Sequence, residues 1–162
     1  MKSVLIIRHA KSSWDLDVED FDRPLNHRGQ TDAPVMAKRL IKKDIQIDAF
    51  ISSPAKRALS TAALFAEAYE KKTKTILTVP SLYEPVIEAF HAAINNLDDI
   101  YKVVAVFSHN PAITDFANQL TSVRVDDMPT CAVFAVKADI KTWKEFTSAQ
   151  KQFWFFDYPK AD

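Results

Sequence analysis

One glycine in 162 residues leaves the chain without the loops that most nucleotide-binding proteins use. The dinucleotide fingerprint and the phosphate-cradling P-loop each need several positions without a Cβ, and Gly29 alone cannot supply them. A single cysteine, Cys131, excludes an internal disulfide and any metal site built from several thiolates; it reads as a small buried hydrophobe. Neither sign of charge is in excess, with 21 Lys and Arg against 21 Asp and Glu. No global field therefore draws the chain to nucleic acid or to an anionic membrane, and any anion site has to be local. No apolar run approaches the length of a membrane span. The four apolar residues Val4–Ile7 are too few for the apolar core of a secretory leader. A cytoplasmic protein with no nucleic-acid or membrane partner is the expectation.

What is present suits a folded α/β chain. Apolar residues make up 48% and charged residues 26% of the sequence, the balance of a globular protein with a sizeable core. The length fits a single domain over residues 1–162. Apolar runs alternate with amphipathic stretches, which predicts a three-layer α/β/α sandwich: a mostly parallel central sheet with helices on both faces. Strands are expected at Val4–Ile7, Ala49–Ile51, Thr75–Val79 and Lys102–Phe107. Three closing strands are expected at Cys131–Lys137, Trp143–Phe146 and Gln152–Phe156, antiparallel in part. The aromatic run from Phe153 to Phe156 reads as a strand buried on both faces. Helices are expected from Gly29 to Lys43, and to about Lys71 after Ser53 as N-cap and Pro54 in the first turn. Two more run from Val86 to Leu97, and from an Asn110 cap and Pro111 through Leu120. Residues 10–27 lack periodicity and read as a loop.

The chemistry concentrates where strands end. Val4–Ile7 runs straight into Arg8-His9, and ligands of open α/β sheets bind off the carboxyl ends of strands. Ser52-Ser53-Pro54 with Arg57, and Ser108-His109-Asn110-Pro111, repeat the arrangement of strand end, polar residues and helix start. Helix N-termini offer unpaired N–H groups and the positive end of a dipole. Two guanidinium groups and two imidazoles converging there suit a phosphoryl group. Any one of these residues alone would read as structural or solvated; the register of all four favours a site. No His pair at i, i+4 and no tight carboxylate cluster suggests a divalent metal, so neither metal nor cofactor is expected. His27 and His91 match no motif and read as surface or helix-face residues.

These motifs, in this order and spacing, resemble the histidine phosphatase superfamily with its phosphoglycerate mutase-like fold. The Arg8-His9-Ala10-Lys11-Ser12-Ser13-Trp14 opening and the segment Arg23-Pro24-Leu25-Asn26-x-Arg28-Gly29 resemble its small SixA-like phosphohistidine phosphatase branch. The loop Ser81-Leu82-Tyr83-Glu84 and the closing Asp157-Tyr158-Pro159-Lys160 fit that branch too, so the resemblance runs along essentially the whole chain. It implies that His9 is the nucleophile, attacking phosphorus through a neutral ring nitrogen. Arg8, Arg57 and His109 would hold the phosphoryl oxygens, His109 in its protonated form. Glu84 matches the position of a proton donor, or else is a loop carboxylate paired with a cation. Ser13 would support the phosphate, while Arg23, Asn26 and Arg28 read as fixing the long loop. Ala10 and Ser108 stand where the family commonly has glycine; both are small, and the departures read as variation within the branch. The implied activity is metal-independent removal of phosphate from phosphohistidine in proteins by a monomer. A small-molecule phosphomonoesterase, whose substrate is a small phosphate ester, and a catalytically silent phosphate-binding module stay open as other readings.

Overall fold

The structure, a computed structural model, describes residues 1–160. Six strands form one sheet: β1 (Lys2–Arg8), β2 (Ala49–Ser52), β3 (Leu77–Thr78), β4 (Val103–Ser108), β5 (Val133–Ala138) and β6 (Lys151–Asp157). Their order is β3-β2-β4-β1-β5-β6; the first four pair in parallel, and β5 and β6 join antiparallel. Successive side chains of a strand point to opposite faces. Leu5, Ile7, Ala105 and Phe107 pack on the layer of α1 (His27–Lys42) and α2 (Lys56–Ala68). Val4, Ile6, Val104 and Val106 pack on α3 (Ile87–Asn95) and α4 (Ala112–Leu120). All of these strand residues are 0% exposed, so β1 and β4 form a base enclosed on both faces. Each large one contributes roughly 1.5–3 kcal/mol of burial. This is the three-layer, mostly parallel sandwich that the alternation of the sequence predicts. Among the described residues no helix is long and apolar enough to cross a membrane.

Several boundaries differ from the sequence reading. Trp143–Phe146 is no strand: Trp143–Glu145 closes as a 3-10 turn, with a reciprocal cap between Thr142 and Glu145. Trp143 and Phe146, three residues apart, share one side of that turn and are buried. β6 is the outer edge of the sheet, so its side chains are half-buried rather than enclosed, and Phe153 is 38% exposed. β3 shrinks to two residues because Thr73–Thr75 forms a 3-10 turn ahead of it. α1 starts earlier than Gly29, at His27, because the Asn26 side chain accepts the Gly29 N–H at 2.9 Å.

The two proline-marked helix starts also shift. α2 begins at Lys56, and Ser53 Oγ accepts the Ala55 N–H at 3.2 Å in the turn ahead of it, so Pro54 precedes the helix. Asn110 does not cap α4. Its oxygen accepts from Thr114 Oγ1 at 2.6 Å, and its amide donates to Asp127 Oδ1 at 2.8 Å and the Met128 carbonyl at 3.2 Å. It therefore ties the helix start to the segment entering β5. The lone glycine has a spatial reason: a Cβ on Gly29 would lie 2.1 Å from the Lys11 carbonyl oxygen. Only glycine lets the start of α1 touch the loop leaving β1.

Candidate active site

Register brings the site together. Parallel pairing sets Arg8 beside Ser108 and Ser52 beside Phe107, so His9, Ser53 and His109 leave the sheet at one edge. They open into a cleft of about 880 Å³ lined by Arg8, His9, Arg57, His109, Tyr83 and Glu84 among others. His9, Arg57 and His109 form its floor, each 5–6% exposed. Small residues make the approach possible. Ala10 is fully buried and donates its N–H to Thr61 Oγ1 at 2.9 Å, which donates in turn to the Arg57 carbonyl at 2.7 Å. Ser108, also fully buried, donates to the Leu82 carbonyl at 2.7 Å and so anchors the loop that carries Tyr83 and Glu84.

His9 is held in one tautomer. Its Nδ1 lies 2.7 Å from the Ala10 carbonyl oxygen, an acceptor that has no proton, so the ring proton is on Nδ1 and the lone pair on Nε2. Arg57 Nε approaches that Nε2 at 3.3 Å. Burial, together with His109, Arg57 and Arg8, pushes the His9 pKa down to about 3, against the Ala10 hydrogen bond that raises it. The ring is neutral throughout the physiological range, as a nitrogen nucleophile needs.

His109 stands 5.2 Å from His9, ring centre to ring centre, and its Nε2 pairs with Ser53 Oγ at 2.7 Å. Its Nδ1 has no partner among the described residues. Burial and then Arg57, Arg23 and Arg8 lower its pKa to about 4, although Asp20 opposes them. Its burial and the neighbouring guanidiniums, which already hold positive charge, thus favour the neutral ring. Ser53, both donor and acceptor, can pair with either protonation state. Arg8 donates to the Met128 carbonyl at 2.8 Å, and its Nε has no partner among the described residues.

Of the remaining expected residues, Glu84 lines the cleft from a backbone with φ of 49°, a left-handed shape that costs a non-glycine residue about 1–2 kcal/mol. Ser13 does not line it. Ser12 pairs with Leu25 in an extended bridge, so consecutive side chains point opposite ways. Ser12 faces the cleft and accepts from Arg23 Nη1, while Ser13 Oγ lies 3.4 Å from the Asp15 N–H. Arg23 lines the cleft too, its guanidinium 3.5 Å over the ring of Trp14, which is 76% exposed.

One residue the sequence reading missed is Asp20. Its carboxylate accepts from Arg57 Nη2 at 3.1 Å, from Arg23 Nε at 3.2 Å and from Tyr83 Oη at 2.7 Å, and its carbonyl accepts from Arg57 Nη1 at 2.7 Å. Partial burial works upward on its pKa, but Tyr83, Arg57 and Arg23 outweigh it and hold the carboxyl down at about 2. The same bond pushes the Tyr83 hydroxyl up to about 12. In sequence Asp20 is one of five acids between Asp15 and Asp22, and nothing local singles it out.

Comparison with known proteins concerns the fold and the family. An uncharacterized chloroplastic protein of Arabidopsis thaliana is 26% identical over 153 residues, covering 89% of this chain and 70% of that one. The structure of the protein histidine phosphatase SixA complexed with tungstate has a similar fold, at a TM-score of 0.80 and 23% identity over 97% of both chains. A SixA structure from Agrobacterium tumefaciens is similar at a TM-score of 0.81 and 21% identity over 98% of both chains. Residues 4–85, which carry Arg8, His9, Arg57 and Glu84, match the Histidine phosphatase superfamily (branch 1). The chain belongs to that superfamily.

Proposed function

We propose that this protein is a metal-independent phosphatase that removes phosphoryl groups from phosphohistidine in proteins, through a covalent intermediate on His9. The observation that carries the reading is the His9 tautomer: the Nδ1 proton rests on the Ala10 carbonyl, leaving on Nε2 a lone pair that accepts only a long 3.3 Å contact from Arg57 Nε. That pair forms a bond to phosphorus as the bond to the leaving group breaks, whose electrons stay with the leaving atom. Arg8, Arg57 and His109 lie around the same volume and would carry the oxygens of the transferring group. A phosphoryl dianion beside His109 raises its proton affinity from the low value it holds. Water then attacks phosphorus, the P–Nε2 bond breaks, and His9 returns neutral with inorganic phosphate released.

The fold likeness to SixA, named a protein histidine phosphatase, supports the substrate class. So does the rim: Trp14 and Val86 are 76% and 65% exposed at the cleft, a surface suited to a macromolecule. The test is phosphate release from a phosphohistidine-bearing protein and, in parallel, from an aryl phosphate, with chelator present, in wild type and His9→Ala. Release from the phosphoprotein that vanishes in His9→Ala is the expected result. Turnover of the aryl phosphate alone overturns the protein substrate, and release that survives in His9→Ala overturns the nucleophile.

A further inference from the structure

We propose that Asp20 is a specificity-determining residue: it selects a phosphoryl group carried on a protonated nitrogen base by accepting the N–H of that base. The inference rests on the phosphohistidine reading above and deepens it. Arg57 divides the site. Its Nε faces His9 Nε2 at 3.3 Å, while Nη1 and Nη2 face Asp20 at 2.7 and 3.1 Å. The nucleophile and the carboxylate thus contact different nitrogens of one guanidinium, and both residues line the cleft. His9 is 6% exposed at the floor, whereas the Asp20 side chain is 50% exposed toward the mouth. In-line displacement puts the leaving group on the side of phosphorus away from the nucleophile. From a nucleophile buried in the floor, that side is the mouth.

Asp20 is built to accept there and not to donate. Arg23, Arg57 and Tyr83 fill three acceptor positions of its carboxylate, which offers about four. The same three donors fix its orientation and keep it ionised. It therefore has room for one more N–H and no proton to give.

That matches the chemistry of a phosphoryl-imidazole protonated on its second nitrogen. Attack by His9 Nε2 forms one P–N bond and breaks another, and the electron pair of the broken bond stays on the leaving ring. The ring departs as neutral imidazole, keeping its N–H on Asp20, and the positive charge passes to His9, whose Nδ1 proton stays against Ala10. No general acid is needed. An alkyl or aryl phosphate offers no such N–H, and the oxyanion that it releases is repelled by the carboxylate.

The experiment compares kcat/KM for N-phosphoimidazole and for p-nitrophenyl phosphate in wild type, Asp20→Asn and Asp20→Glu. The ratio of the two values is expected to fall about tenfold or more in Asp20→Asn, and to recover in part in Asp20→Glu. A purely structural Asp20, holding Arg57, Arg23 and Tyr83 together, would lower both values alike and leave the ratio unchanged; that result overturns the inference while the phosphohistidine reading stands. Should Asp20→Asn not fold, Asp20→Ser serves the same comparison. A wild type that hydrolyses only the aryl phosphate, or neither substrate, overturns the reading and the inference together.

Discussion

The floor and the mouth of the cleft are built by different physics. In the floor, Arg8, His9 and His109 hang on strand ends whose register is fixed by a sheet enclosed on both faces, and Arg57 on the first turn of α2. His9, Arg57 and His109 are buried and Arg8 is half-buried, and burial is the first cause of the low pKa of both imidazoles. The mouth, with Trp14, Asp20, Tyr83 and Glu84, sits on two loops held by hydrogen bonds across long stretches of chain. The Asp20–Arg57 contact spans 37 residues and the Tyr83–Asp20 contact spans 63. The floor is thus suited to the bond-making step that every substrate shares, and the mouth to choosing what leaves. Substitutions in the floor should remove turnover; those in the mouth should change which substrate is turned over.

The largest expected effect is His9→Ala, which should abolish turnover of every phosphorylated substrate in a steady-state phosphate-release assay. Arg57→Ala follows, since it removes a floor cation that also orients Asp20. A loss of about 10²–10³ in kcat is expected, with the substrate ratio disturbed as well, because Arg57 serves both regions. Gly29→Ala attacks neither directly. It forces a Cβ against the Lys11 carbonyl, so it should lower stability by about 1–3 kcal/mol in denaturant unfolding, with the loss in the loop leaving β1. Tyr83→Phe should be smallest: it removes one donor from Asp20 and should lower the N-phosphoimidazole preference only in part, as read from the same kcat/KM ratio.

Acid should distinguish the two regions as well. His9 and His109 hold pKa values of about 3 and about 4, below their ordinary 6.5. Between pH 6.5 and about 4 the unfolded chain takes up protons that the folded chain refuses. Stability therefore falls as pH is lowered through that window. A melting series from pH 7 to 4.5 should show this loss, and a His9→Ala/His109→Ala double variant should show less of it. Asp20, with a folded value of about 2 against 3.8, stabilises above pH 3.8, and its share disappears only as the pH drops toward 2.

The sequence made the floor legible because its parts are local. A run of apolar residues ending in Arg8-His9 carries its own position on the sheet, and Ser52-Ser53-Pro54 with Arg57 and Ser108-His109 carry theirs. The fold class followed from the same alternation. What escaped depended on contacts that no spacing announces. Trp143 and Phe146 read as a strand because apolar content alone does not separate a strand from a single turn three residues apart. Ser12, not the expected Ser13, lines the cleft, a facing decided by a bridge to Leu25. Asp20 lies among five acids of a stretch that reads only as a loop. The low pKa of His109 comes first from its burial and then from three arginines gathered from separate segments of the chain.

The most direct test of the central claim is a single-turnover reaction with a phosphoryl-labelled phosphohistidine protein, quenched in base and mapped by peptide mass spectrometry and 31P NMR. The account predicts label on Nε2 of His9 at times before phosphate release is complete, and none in His9→Ala. Phosphate released with no label ever passing through His9, or label on His109 instead, would contradict it.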